Sequence, residues 1–297
     1  MVVIRVFIPS GHYLYVPSLG KEFHGHPPVS LTGRYCALRC KHCNARILER
    51  MIPVETPQKL LMIASDLYRA GVKSVLISGG SNSRGEVPFE RFIDAIKYIK
   101  RLGLRIYIHT GLVDEFRAQL LNEAGVDIAL IDFTVEERVI RDVLNLKATA
   151  KEFIDSVKNL TKFSVKVAPH IIIGILHGEP SGERHAIDTL SQLNPDAVVL
   201  AVFTPMPNTP FEAFSPPNPS YIFEILRYAR TRLRSIPLTY GCMKPHDEMF
   251  QPLEIEALQL GFEGLSFPSY STVEYLINNN IQFEIMQECC AYVAFLK

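Results

Sequence analysis

The stretch VSLTGRYCALRCKHC, residues 29–43, decides how the chain is read. It opens as an apolar, β-branched strand candidate over Val29–Thr32 and turns at Gly33. It then sets Cys36, Cys40 and Cys43 in the spacing C-x3-C-x2-C. Three thiols on one compact loop point to metal chemistry, and no fourth cysteine is near in sequence. Each thiolate can take one iron of a cubane cluster, which leaves one iron open to an external ligand. Zinc is the alternative, because it prefers four closed ligands and His42 offers a fourth. Against zinc, His42 immediately precedes Cys43, so both would have to turn onto one ion. The second C-x2-C pair of a zinc ribbon is also missing.

Working outward, β-rich runs recur at wide spacing. They are Val29–Thr32, Ser74–Ser78, Arg105–His109, Ile128–Phe133, Lys166–Ile175, Ala197–Phe203, Pro237–Tyr240 and Gly264–Phe267. Most are continuous rather than alternating, as expected of parallel strands covered on both faces. Between them lie helical patterns: Thr56–Ala70, Phe89–Leu102, Val113–Ala124, Ala148–Leu160, Gly182–Leu193, Ser220–Leu233 and Glu254–Leu260. A last one, Ser271–Asn279, follows the eighth strand. Eight β-then-α units in series predict an α/β fold, a (β/α)8 barrel with its active site at the carboxyl ends of the strands. The 297 residues read as one domain, with an N-terminal extension (1–27) and a C-terminal tail (281–297) able to fold over the barrel mouth.

Lys+Arg and Asp+Glu are both 31, so the formal net charge is zero; no charge run or basic block appears, which leaves only local patches. That argues against a nucleic-acid or membrane-surface partner held by long-range electrostatics. The apolar stretch in Met1–Ser10 is too short for a signal segment, and no run reaches transmembrane length, so a cytoplasmic protein is expected. Six clustered cysteines (36, 40, 43, 242, 289 and 290) in such a chain suggest metal or redox chemistry rather than a disulfide framework.

The loop C-x3-C-x-aromatic-C directly after the first barrel strand resembles the signature of the radical S-adenosylmethionine (SAM) superfamily, with His42 in the aromatic position. The resemblance implies a [4Fe-4S] cluster whose open iron is chelated by SAM. One electron, from a donor such as ferredoxin or flavodoxin, then cleaves SAM to methionine and a 5′-deoxyadenosyl radical. Ser78-Gly79-Gly80 stands where the family's Gly-Gly element meets the SAM amino group, with Ser81 where an acid often stands. Asp132, closing the fourth run, either caps the next helix or reaches the SAM ribose, the second role being the one the resemblance implies. His170–Glu179 resembles the fifth strand of biotin-synthase-like enzymes, which packs along the adenine, and Ile173 lies in it. Arg184, Leu193–Pro195 and Pro207–Pro210 match the same branch. His109, His170 and His177 read most simply as ordinary hydrogen-bonded histidines.

Together with Gly241–Pro245 and Glu288–Cys290, these segments look most like the smaller component of the two-protein lipoyl synthases, a group related to biotin synthase. That implies sulfur insertion into an octanoyl chain on a carrier-protein lysine, with a second radical SAM subunit as partner. Another biotin-synthase-like reaction (carbon–sulfur formation elsewhere, methylation or cofactor assembly) is the alternative, and a non-catalytic iron–sulfur protein is a third. Sulfur insertion needs a sulfur source. Cys242, at the end of the seventh strand, with Cys289 and Cys290 in the tail, either ligates an auxiliary [4Fe-4S] cluster or consists of buried structural thiols; the adjacent pair also reads as a redox switch.

Overall fold

The computed structural model describes residues 3–8, 13–16 and 21–297, so residues 1–2, 9–12 and 17–20 of the N-terminal extension lie outside the described residues. In chain order the strands are β1 (Ile4–Phe7), β2 (Tyr13–Val16), β3 (Lys21–His24), β4 (Pro28–Ser30), β5 (Ile52–Pro53), β6 (Ser74–Ser78) and β7 (Arg105–His109). There follow β8 (Ile128–Asp132), β9 (Lys166–Ile173), β10 (Val198–Val202), β11 (Leu238–Tyr240), β12 (Gly264–Ser266) and β13 (Phe283–Met286). All but the antiparallel hairpin β2–β3 join one parallel sheet, in the order β13-β1-β12-β11-β10-β9-β8-β7-β6-β4-β5.

The eight strands expected from the sequence are the consecutive run β4, β6, β7, β8, β9, β10, β11 and β12. Helices follow them where the periodicity places them: Pro57–Arg69, Ile93–Arg101, Glu115–Glu123, Ala150–Thr161, Glu183–Leu193, Pro219–Arg232, Pro252–Gln259 and Tyr270–Asn278. Their apolar faces cover the outer face of the sheet, where Ile77, Ile108 and Val167 meet Ile96, Leu121 and Val157 with no exposure. Burial on both faces explains why β6 and β10 read as unbroken apolar runs.

Three additions were not legible. β1 slots between β12 and β13, with Val6 opposite both Leu265 and Ile285, so the N-terminal run is a barrel strand. β5 extends the other edge. A short helix, Glu137–Asp142, follows β8, its six residues too few to show a period. Among the described residues no ladder joins β5 to β13, so the (β/α) barrel is curled but not closed by hydrogen bonds.

The tail departs from the expected position over the mouth. After β13 it turns into the lumen as the 3-10 helix Cys290–Leu296. Ala291, Val293 and Ala294 are fully buried against Phe7, Tyr107, Leu130 and Val199. Glu288 is ion-paired with Arg105 at the start of β7 and accepts from Tyr107 Oη at 2.7 Å. The Lys297 ammonium donates to the carbonyls of Asn194 (3.0 Å) and Pro195 (2.8 Å), just ahead of β10. A barrel interior must be filled by side chains, and here small apolar residues of the tail fill it.

Candidate active site at the carboxyl ends of the strands

The cysteine loop leaves β4 at its carboxyl end and is wound tightly. Arg39, Asn44 and Ala45 take positive φ angles (48°, 44° and 63°), strain that non-glycine residues carry only where the surroundings enforce it. Two segments enforce it. On one side Lys41 N donates to Val143 O at 2.8 Å, and Asn145 Nδ2 donates to Leu38 O and Arg39 O at 3.1 and 2.8 Å. On the other, the end of β6 lies against the loop: Ala37 N donates to Ser81 O at 2.8 Å, and Gly80 N to Thr32 Oγ1 at 2.7 Å. A Cβ on Gly80 would fall 1.9 Å from Tyr35 O and 2.5 Å from Cys36 Cα, so only glycine fits there. Ser78 is buried and pairs in register with Ser30.

Cys36, Cys40 and Cys43 are all free and half-buried. Cys40 and Cys43 share a proton. The hydrogen bond from Cys40, helped by the His42 imidazole, pushes the Cys43 thiol down to about 4, while the same bond and burial push Cys40 up. Burial, the largest single effect, favours neutral His42, but the hydrogen bond to Cys43 and the charges of Cys43 and Asp132 together outweigh it and raise its pKa; its Nδ1 is sealed from solvent without a partner among the described residues. No three His, Cys, Asp or Glu side chains among the described residues converge as one metal ion requires.

Beside the loop, His42, Asp132, Thr134, His170, Ile172 and Ile175 line a cleft. Asp132 does not cap the next helix, because Glu136 does so by accepting from Arg138 N, and the exposed Asp132 faces the cleft. Ile173 does not line it. Its side chain lies in the helix-facing core and its carbonyl accepts from Phe203 N at 2.9 Å; Ile171 and Ile172 line the cleft instead. The His109 and His170 rings, on β7 and β9 to either side of β8, stand with centroids 5.4 Å apart. Burial lowers both, His170 to about 4, so neutral imidazoles face the mouth. Sequence reasoning missed Thr134, Asn145 and Glu183. Buried Glu183 organises the cleft floor by accepting from Gly174 N (2.7 Å), Ser181 N (2.7 Å) and Tyr221 Oη (2.8 Å). Only contacts distant in sequence distinguish these residues from ordinary caps.

A family model described as the radical SAM superfamily matches residues 30–190, which carry the cysteine loop and the cleft. The chain belongs to the radical SAM superfamily. Within this superfamily it is similar to curated biotin synthases. That of Sorangium cellulosum is 25% identical over 232 residues, covering 72% of this chain and 64% of the relative; that of Brucella ovis is 24% identical, covering 72% and 65%. The chain therefore spans just under two thirds of the length of these relatives. The fold is shared with methylornithine synthase (TM-score 0.59, 18% identity, 81% of this chain and 70% of that one). It is shared also with the FeFe-hydrogenase maturase HydG of Carboxydothermus hydrogenoformans (TM-score 0.63, 14% identity, 98% and 69%).

The superfamily's iron–sulfur cluster and SAM fit the residues present. Cys36, Cys40 and Cys43 would supply the thiolates, and the orphaned His42 Nδ1 and the Asp132 carboxylate would offer polar contacts along the cleft. When bound, the pair supplies an organic radical able to take hydrogen from an unactivated carbon. The chain would hold the thiolates in place and presents the Asp132 carboxylate and the His170 imidazole, which burial keeps neutral, to the cleft.

The remaining cysteines come together on the other side of the lumen. Cys242 follows β11 as an exposed residue whose thiol turns inward to Cys290, and Cys290 in turn bonds Cys289. The Cys242–Cys290 bond and burial raise Cys242; Cys290 is raised because Cys289 and burial outweigh its bond from Cys242. Buried Lys244 pins the Cys242 loop by donating to the carbonyls of Ser266 and Phe267 and pairing with Glu254 at 3.3 Å. No described helix is long and apolar enough to cross a membrane.

Proposed function

We propose that this radical SAM enzyme inserts sulfur into an octanoyl chain carried on a protein lysine, in the cytoplasm and together with a second radical SAM protein. The observation that carries the reading is the trio Cys242, Cys289 and Cys290 inside the barrel. A sulfur-inserting enzyme needs a sulfur donor within reach of the activated carbon, and an auxiliary cluster on these thiolates supplies one. Similarity to biotin synthases, whose name denotes formation of a sulfur-containing product, supports the same reaction class. The competing reading is another biotin-synthase-like reaction on a different acceptor. Mass spectrometry tests both: an octanoyl-lysine peptide and dethiobiotin are each incubated with SAM, reductant and the enzyme, with and without a candidate partner. Gain of one or two sulfur atoms by the octanoyl peptide is expected; turnover of dethiobiotin alone would overturn the choice.

A further inference from the structure

The loop that holds the three thiolates is a local basic patch in a chain whose formal net charge is zero. Residues 33–50 carry Arg34, Arg39, Lys41, Arg46 and Arg50 against one carboxylate, Glu49. Glu49 is already taken by Arg46 at 3.1 Å. Arg34, Arg39 and Arg50 are exposed, and no carboxylate among the described residues pairs with them. The other Arg-rich stretch, residues 227–234, differs: its Arg230 and Arg232 are held by Glu263 and Asp188. Between the free guanidinium groups stand two exposed apolar side chains, Tyr35 (65% exposed) and Ile47 (40%). Cations interleaved with apolar groups on a backbone fixed by Asn145 and Ser81 make a preformed interaction surface.

Position says what this surface receives. Arg34 lies two residues before Cys36 and Arg39 immediately before Cys40. The cleft runs along His42, Asp132 and His170, and none of Arg34, Tyr35, Arg39 and Arg50 lines it. Reductive chemistry at the thiolates requires an electron from outside, and electron transfer falls steeply with distance, so a protein donor must seat close to these cysteines. We propose that Arg34, Tyr35, Arg39 and Arg50 form the docking surface for an acidic one-electron carrier protein. One electron leaves the carrier for the iron–sulfur group on the three thiolates, and no atom changes hands. The inference rests on the superfamily's chemistry and is independent of the lipoyl reading.

The test is calorimetric binding to the reconstituted protein, with a flavodoxin and a ferredoxin as separate probes, at low and high salt. At least one carrier should bind, with affinity falling at least about tenfold as screening rises, as steering between opposite charges requires. The combined variant Arg34→Glu, Arg39→Glu, Arg50→Glu should lose a similar factor at low salt. Its 5′-deoxyadenosine formation with an uncharged photoreduced deazaflavin should stay within about twofold of wild type, since that small reductant needs no docking surface. If the charge reversals disturb the loop and this second rate falls, the pair Arg34→Gln and Arg50→Gln decides by the same binding measurement. Unchanged binding of both carriers by the variants, or salt-independent binding by the wild type, overturns the proposal. So does a variant that loses only an octanoylated carrier protein, which would make this the substrate's docking face.

Discussion

The Cys242 thiol hydrogen-bonds to the Cys290 thiol, tying the end of β11 to a tail that enters the lumen from the other edge of the sheet. Thr239 Oγ1 reinforces the tie by donating to Cys290 O at 2.9 Å. Two sulfurs so distant in sequence meet only if the tail is inserted, which gives the insertion a chemical consequence. If this pair with Cys289 ligates an auxiliary cluster, reconstituted wild-type protein should hold about eight irons and the Cys242→Ala, Cys289→Ala, Cys290→Ala variant about four. The variant should still cleave SAM but transfer no sulfur. Four irons in the wild type, with undiminished sulfur transfer by the variant, would leave these cysteines as packing residues.

Gly80→Ala tests the contact between β6 and the cysteine loop. The added methyl meets backbone at Tyr35 and Cys36 rather than a flexible side chain, so the loop itself must move. Iron bound at Cys36, Cys40 and Cys43 should fall severalfold, with a stability loss of about 1–3 kcal/mol, the usual cost of overpacking. Iron analysis beside urea unfolding reads both; full iron retention would contradict the argument.

Glu288→Gln tests the anchor of the tail. The carboxylate is buried, while the Arg105 side chain is about one third exposed, so water screens part of the pair. The expected loss is about 1–3 kcal/mol, below that for breaking a fully buried pair. Unfolding free energy is one readout. Reaction of Cys289 and Cys290 with a thiol reagent is the other, and it should quicken if the tail loosens.

His26 predicts acid sensitivity. It is buried edge-on to Tyr107, at 5.6 Å between ring centroids, with Nδ1 unpartnered among the described residues. Burial lowers its pKa to about 3. The folded protein therefore keeps it neutral while the unfolded chain takes up a proton below about 6.5. Its contribution is fully present above that pH and is lost as pH falls toward 3, at up to about 1.4 kcal/mol per pH unit. Between pH 7 and pH 5, His26→Phe should lose about 2 kcal/mol less than wild type in urea unfolding. Equal losses would show that His26 is not held neutral.

Several features were decided by sequence alone, for a local reason. C-x3-C-x2-C within eight residues brings three thiols together whatever the rest of the chain does, and runs such as Val198–Val202 announce strands buried on both faces. The order of the eight barrel strands followed from chain order, because successive parallel strands joined by helices lie side by side. Tertiary structure decided whatever depends on contacts distant in sequence. β1 is too short to declare itself and becomes a strand because β12 and β13 pair with it on both sides. Asp132 was open between cap and cleft until Glu136 took the cap, and only the packing placed Ile173 in the helix-facing core. The tail reads as a cover in sequence, but small apolar side chains, a buried Glu288 and a terminal Lys297 fit the lumen. Filling that space removes more apolar surface from water than lying over the mouth would.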